Sequence, residues 1–191
     1  MKLYGSLTSP YTRRIRIVAS ELGEPIEWTD TATDAGQAAL REISPIRKVP
    51  VAIVDGRTLF DSHAIAAWLF ATRGHGPIAP PSDPWREHNI IHAVDGAIDS
   101  LIQLFYLRRD GVTVDETPFA KRHMERTDAI VQWLGTQVTA AHLGLAQISV
   151  ICMLEWMDLR KTYPTERAVG LAPIRAAWAD HPSLVATRPP A

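Results

Sequence analysis

Between Arg73 and Pro84 the chain carries Gly74, Gly76, Pro77, Pro80, Pro81 and Pro84. Proline fixes φ and lacks an N–H, so neither a helix nor a paired strand runs easily through such a stretch. It reads as a linker, and the hydrophobic patterns on its two sides differ.

Before the linker the apolar period changes repeatedly. Lys2 to Tyr4 reads as a short strand stopped at Gly5. From Pro10 the spacing turns helical, with Ile15, Val18, Ala19 and Leu22 on one face and Gly23 as the stop. Ile26 to Thr29 is a second strand, and Ala35 to Glu42 a short helix. Val51 to Val54 and Arg57 to Phe60 are strands joined by Asp55-Gly56, a dipeptide suited to a two-residue hairpin. Ser62 to Thr72 is then helical, with Ile65, Ala66 and Leu69 inward. The order is βαβ–α–ββα. Its first unit implies a parallel strand pair with a right-handed crossover, and the hairpin adds antiparallel strands. This is the order of an α/β thioredoxin-like fold.

After the linker only helical spacing remains. Ile91, Val94, Ile98, Leu101, Ile102 and Phe105 recur at intervals of three and four, as do Met124, Thr127, Ile130, Val131, Leu134 and Val138. A third helix covers roughly residues 146–161, and the tail from Ala172 adds a short one. The expected organisation is an α/β domain over 1–75, a linker over 76–84 and an all-α domain over 85–191.

Hydrophobic residues make up 46% of the 191, enough for packed cores in both domains. The formal charge of −1 argues against a general nucleic-acid binder. Cys152 is the single cysteine, which excludes an intramolecular disulfide and fits a reducing cytosol. The opening Met-Lys-Leu-Tyr-Gly-Ser lacks the apolar stretch of a secretory leader. Leu143 to Met157 is interrupted by Gln147, Ser149 and Glu155, so it reads as a buried helix and not a membrane span. A cytoplasmic protein without membrane or nucleic-acid partners is expected.

Three short segments carry candidate chemistry. Ser9-Pro10-Tyr11-Thr12 lies between the first strand and the first helix. Ser at the N-cap and Pro at the first helical position simply start a helix. The same geometry stabilises an anion, and the hydroxyl could donate to a thiolate. Lowering a thiol pKa by two units from about 8.5 takes about 2.7 kcal/mol. A hydrogen bond to a charged group supplies roughly 1.5–3 kcal/mol, and a helix terminus roughly 0.3–1. The segment resembles a glutaredoxin Cys-Pro-Tyr-Cys motif with Ser9 and Thr12 in place of both cysteines, so any thiol must come from a ligand. The second segment, Ser44 to Pro50, is either a rigid loop or a cis Val49–Pro50 turn that exposes the Val49 backbone to a peptide-like ligand. The third, Phe60-Asp61-Ser62-His63, either caps a helix or binds a group bearing both an amine and a carboxylate. Asp61 would then face the ammonium, and Ser62 with the helix N-terminus the carboxylate.

Taken together, the Ser-Pro-Tyr-x-Arg-Arg helix start, the Pro-x-x-Lys-Val-Pro loop and the Asp-Ser-x-Ala-Ile helix start resemble the glutathione-binding domain of glutathione transferases. The resemblance is strongest to bacterial members with a Ser-Pro-Tyr or Ser-Pro-Phe start. The linker, the helical module and the Trp178 to Pro189 ending extend it over nearly the whole chain. It implies that Ser9 activates the glutathione thiol and that Lys48, Val49, Pro50, Asp61 and Ser62 bind glutathione, with Pro50 cis. Glutathione would be a co-substrate, with no permanently bound cofactor. The second substrate would be a small electrophile taken up between the domains, with Tyr11, Tyr106 and Arg109 as candidate contacts. A homodimer acting in detoxification is implied as well. The alternative is a non-catalytic binding or adaptor protein on the same fold. An isomerase, dehalogenase or lyase is a further branch, although the mixed-disulfide versions need a cysteine where Ser9 stands.

Other features fit packing or solvation. Arg13, Arg14 and Arg16, with Arg47 and Lys48 in a nearby loop, read mostly as a solvated face, although one of them could steer a doubly carboxylated tripeptide. Phe105 and Trp156 read as packing, and Cys152 as buried. His88 and His92 stand four apart beside Glu87 without an evident third ligand, so no metal site is expected. Asp95 and Asp99 read as capping, internally paired or interface groups. The family's Ser/Thr-x-x-Asp start to the third long helix is replaced by Gly144, a tolerable cap, and Gln147, which can still reach back to the cap N–H, so that helix is expected to form but to be less firmly started.

Overall fold

The computed structural model describes residues 1–190. The chain divides into two compact units, Met1–Pro80 with the tail from Ala179, and Pro81–Trp178.

The first unit contains β1 (Lys2–Gly5), α1 (Pro10–Glu21), β2 (Glu27–Asp30), α2 (Asp34–Ile43), β3 (Val51–Val54), β4 (Arg57–Phe60) and α3 (Ser62–Arg73). These are the seven elements in the order read from the sequence. The strands lie in the order β2-β1-β3-β4, parallel between β1 and β2 and antiparallel elsewhere. Asp55 (φ 47°) and Gly56 (φ 72°) both take the left-handed conformation that a two-residue hairpin with the twist of its strands requires. Side chains alternate across the sheet. Tyr4 and Val51 pack with Leu40 of α2 on one face. Leu3 and Ala52, fully buried, point to the other face, where α1 packs against α3 through Ile15, Val18, Ile65 and Leu69.

The tail differs from expectation. Its helical spacing places it with the helical domain, yet from Ala179 it belongs with the first unit because α1 binds it. The tail helix, Pro182–Ala186, lies along α1. Arg13 Nη2 donates to the Leu184 carbonyl at 3.2 Å and Nε to Thr187 Oγ1 at 3.4 Å. Arg16 Nη1 donates to the Thr187 carbonyl at 3.3 Å, and His181 Nε2 sits 2.8 Å from Glu21 Oε1. Arg13 and Arg14 are therefore not a solvated face: they are 2% and 1% exposed. A guanidinium is tolerated inside when its donors meet fixed acceptors.

The second unit is built on α4 (Pro84–Arg109), α5 (Pro118–Gln137) and α6 (Leu145–Arg160), followed by two 3-10 turns and a short α7 (Ala172–Ala177). By length and composition α4 could cross a membrane, but its inner positions Ile91, Val94, Ile98, Leu101 and Leu104 are buried where it packs on α5 and α6. Nearly every position of α6 from Leu145 to Met157 is buried, Cys152 included, as suits a central helix. Its start carries the reach-back bond expected of Gln147. Gln147 Oε1 accepts the Gly144 N–H at 3.1 Å, and Gln147 Nε2 donates to the Thr139 carbonyl at 3.0 Å. Gly144 has no side chain to cap the next amides, and the Glu87 carboxyl of α4 lies near enough to the Ala146 amide for that amide to favour its charged form. Burial pushes the Glu87 carboxyl above its ordinary value, and that amide with His88 and His142 pulls it back.

His123 on α5 is 7% exposed, and its ring centroid lies 4.2 Å from that of Phe119 with the planes tilted by 46°. Burial first, then the charges of Arg126 and Arg122, hold its pKa below the ordinary 6.5. A folded pKa below the unfolded one contributes stability that is complete above about 6.5 and is lost as pH falls through the folded value. Urea titrations from pH 7 to pH 5 should therefore show wild type losing more stability than His123→Phe. Parallel curves would exclude His123 as the source.

Candidate functional site

Strand register brings the three candidate segments together. Tyr4 pairs with Val51, and Val51 with Phe60. Because β3 runs antiparallel to both β1 and β4, the end of β1, the start of β3 and the end of β4 share one end of the sheet. The loops bearing Ser9, Val49–Pro50 and Asp61 all leave from that end.

Ser9 caps α1 from an extended conformation, and its Oγ accepts the Thr12 N–H at 3.2 Å. This bond uses a lone pair and leaves the hydroxyl proton to donate elsewhere. Ser9 is half-buried, at the positive end of a twelve-residue helix. Thr12 is fully buried against β1: a Cβ on Gly5 would lie 2.3 Å from Thr12 Cγ2. Thr12 thus packs the helix onto the strand, while Ser9 faces the loop.

The Val49–Pro50 peptide is cis. Pro50 is buried and Val49 half-buried against the Tyr4–Leu40–Val51 cluster. Lys48 is exposed, as are Ile46 and Arg47. Arg47 takes φ 54°, and its N–H donates to Ser44 Oγ at 3.3 Å.

Asp61 has φ 73° and ψ 145°, a conformation that costs a non-glycine residue on the order of 1–3 kcal/mol. The turn aims its carboxylate back over the α3 N-terminus, where Oδ1 accepts the His63 N–H at 2.9 Å and the Ser62 hydroxyl at 3.3 Å. Ser62 is 1% exposed. Its Oγ accepts from Arg14 Nη1 at 3.0 Å, which makes a relay from Arg14 through Ser62 to Asp61. Sequence reasoning named Arg14 only among the cations of which one could steer an anionic ligand, and missed its burial and its bond to Ser62. Arg14 sits five residues along α1 from Ser9, and its partner is 48 residues away, so no local pattern marks it. A ligand carboxylate arriving here meets the Ser62 amide, an orphan donor of the first helical turn. It also meets a hydroxyl whose long bond to Asp61 is easily exchanged, with a buried guanidinium behind.

Of the second-substrate candidates, Tyr11 lies on α1 of the first unit, with Arg14 Cζ 5.8 Å from its ring. Tyr106 and Arg109 lie on α4 of the second, Arg109 Cζ being 4.7 Å from the Tyr106 ring. Among the described residues no group of three histidine, cysteine or carboxylate side chains is placed to hold a metal.

A mixed four-stranded sheet of this order, followed by a helical unit built around a buried central helix, has the glutathione transferase fold. Residues 3–77 match the glutathione S-transferase N-terminal domain family, and the first unit carries that domain. Glutathione S-transferase U6 of Arabidopsis thaliana is 34% identical over 87 residues, which span 45% of this chain and 39% of that relative. The uncharacterized GST-like protein YibF of Escherichia coli K12 is 28% identical over 174 residues, 86% of this chain and 85% of that one. A glutathione transferase family member from Pseudomonas fluorescens Pf-5, solved with bound glutathione, superposes with a TM-score of 0.81 at 25% identity, covering 100% of this chain and 99% of that one.

Proposed function

We propose that the chain is a glutathione transferase that binds glutathione at the shared sheet end and activates its thiol through Ser9. The observation that carries this is the convergence of Ser9, the cis Val49–Pro50 peptide and the Asp61–Ser62–Arg14 relay at one end of one sheet. Glutathione offers a γ-glutamyl group with ammonium and carboxylate, a peptide-like cysteinyl centre and a thiol. Asp61 suits the ammonium, and Ser62 with Arg14 suits the carboxylate. The Val49 backbone suits the cysteinyl amide, and the Ser9 hydroxyl suits the sulfur. The glutathione-bound relative of the same fold supports this reading. Once the sulfur is ionised, the thiolate attacks an electrophilic carbon held beside it, so the protein supplies a lowered thiol pKa and proximity. The lone buried Cys152 fits a cytoplasmic setting.

Calorimetric titration with glutathione and with S-methylglutathione, on wild type and Asp61→Ala, tests the binding half. Saturable binding weakened in the variant is expected. No binding at millimolar ligand would favour the adaptor reading. Ser9→Ala tests the catalytic half. Loss of one hydrogen bond to the thiolate should raise the bound-thiol pKa and cut turnover at neutral pH about tenfold or more, with glutathione affinity changed far less. An unaltered thiol pKa, read from thiolate absorbance against pH, would remove Ser9 from the mechanism.

A further inference from the structure

Four exposed residues, Pro45, Ile46, Arg47 and Lys48, separate the end of α2 from Val49. Packing does little to hold them, yet they set where the Lys48 side chain and the Val49 backbone stand. Arg47 takes φ 54°. A residue with a Cβ is disfavoured in this left-handed region, which glycine enters without penalty. Ser44 offsets that cost. It is 1% exposed. Its N–H donates to the Leu40 carbonyl at 3.0 Å, and its Oγ accepts the Arg47 N–H at 3.3 Å. Leu40 in turn is buried with Tyr4 and Val51. One buried serine thus ties the left-handed turn to a helix end that is fixed on the sheet.

We propose that Ser44 is a positioning residue for glutathione binding, holding Arg47 in its left-handed conformation so that Lys48 and Val49 are set for the ligand. The proposal rests on the transferase reading above and adds a residue that acts without touching glutathione. When the Ser44 hydroxyl is lost, Arg47 relaxes toward negative φ, and rotation there redirects the two residues that follow. Binding then draws only on the molecules that keep the left-handed turn, and the apparent Kd rises by the inverse of their fraction. The size of the rise depends on residue 47. Glycine takes positive and negative φ about equally readily, so a glycine turn stays populated without the hydroxyl. Alanine, like arginine, does not.

The test measures the glutathione Kd by calorimetry on the whole protein. Ser44→Ala is compared with its parent in three backgrounds: wild type, Arg47→Ala and Arg47→Gly. Comparison within each background cancels the loss of the Arg47 charge. Ser44→Ala should raise Kd about threefold to tenfold with arginine or alanine at position 47, as expected for one hydrogen bond. With glycine there the rise should be less than about twofold. A hydroxyl that served only the end of α2 would cost the same in all three backgrounds. An equal cost in all three, a cost confined to the wild-type background, or no cost in any of them overturns the proposal while leaving the glutathione site in place. A wild type that binds no glutathione at millimolar ligand rejects the transferase reading, and the proposal with it.

Discussion

Gly36→Ala should destabilise the first unit by about 3 kcal/mol or more, one of the largest effects of any single methyl group in this chain. Gly36 lies in the first turn of α2, where it is buried. A Cβ there would stand 1.9 Å from the Asp30 carbonyl oxygen, 2.6 Å from its carbon and 3.0 Å from Thr31 Cα. All three are backbone atoms at the end of β2, so no side chain can swing aside. Helix propensity alone favours alanine by about 1 kcal/mol, so the sign of the effect depends on the close approach. Relief requires moving the start of α2 away from β2. That would pull on the Thr33 cap, whose Oγ1 accepts the Gly36 N–H at 3.1 Å, and on the bond from Gln37 Nε2 to the Thr31 carbonyl. It would also lift Leu40 from Tyr4 and Val51. Chemical denaturation reads the effect directly: a midpoint equal to or above wild type would show that α2 is not pressed on β2.

Arg14→Met is the second large effect, and it falls on binding. The guanidinium holds Ser62 Oγ from behind and adds a buried positive charge to the end of α3 proposed to receive the γ-glutamyl carboxylate. A hydrogen bond involving a charged group is worth roughly 1.5–3 kcal/mol, so glutathione affinity should fall about tenfold to a hundredfold. Arg13→Met is the matched control. Arg13 is equally buried on the same helix, but it donates to the tail at Leu184 and Thr187. Its loss should lower the unfolding midpoint while leaving the glutathione Kd near wild type. Equal affinity in wild type and Arg14→Met would remove Arg14 from the site.

The contrast between these two arginines separates what the sequence discloses from what it withholds. Strand and helix order was legible because it is written in local periods, and Asp55-Gly56 named its own turn. Ser9, Asp61 and Ser62 were legible as helix starts, since a cap is a local pattern. Their convergence is not local. It depends on Tyr4, Val51 and Phe60 standing side by side in the sheet. The burial of Arg13 depends on acceptors 171 and 174 residues away, and a helix-face reading assigns such a charge to water. The start of α6 divides in the same way: the bond from the Gly144 N–H to Gln147 Oε1 is local and was legible, whereas the bond from Gln147 Nε2 to the Thr139 carbonyl, eight residues back, was not.

The return of the tail to α1 bears on the order in which the protein can be finished. Domains emerge from the ribosome in sequence, at roughly 5–20 residues per second, so the tail that follows Trp178 appears about 5–20 s after Pro80. Until then Arg13 lacks its Leu184 and Thr187 acceptors, and the α1 surface that seats Pro182–Ala186 is bare. The unit proposed to bind glutathione thus begins before the second unit and is completed after it. A fragment cut at the linker would retain every residue proposed to touch glutathione while uncovering the Arg13 guanidinium and removing its Leu184 and Thr187 acceptors.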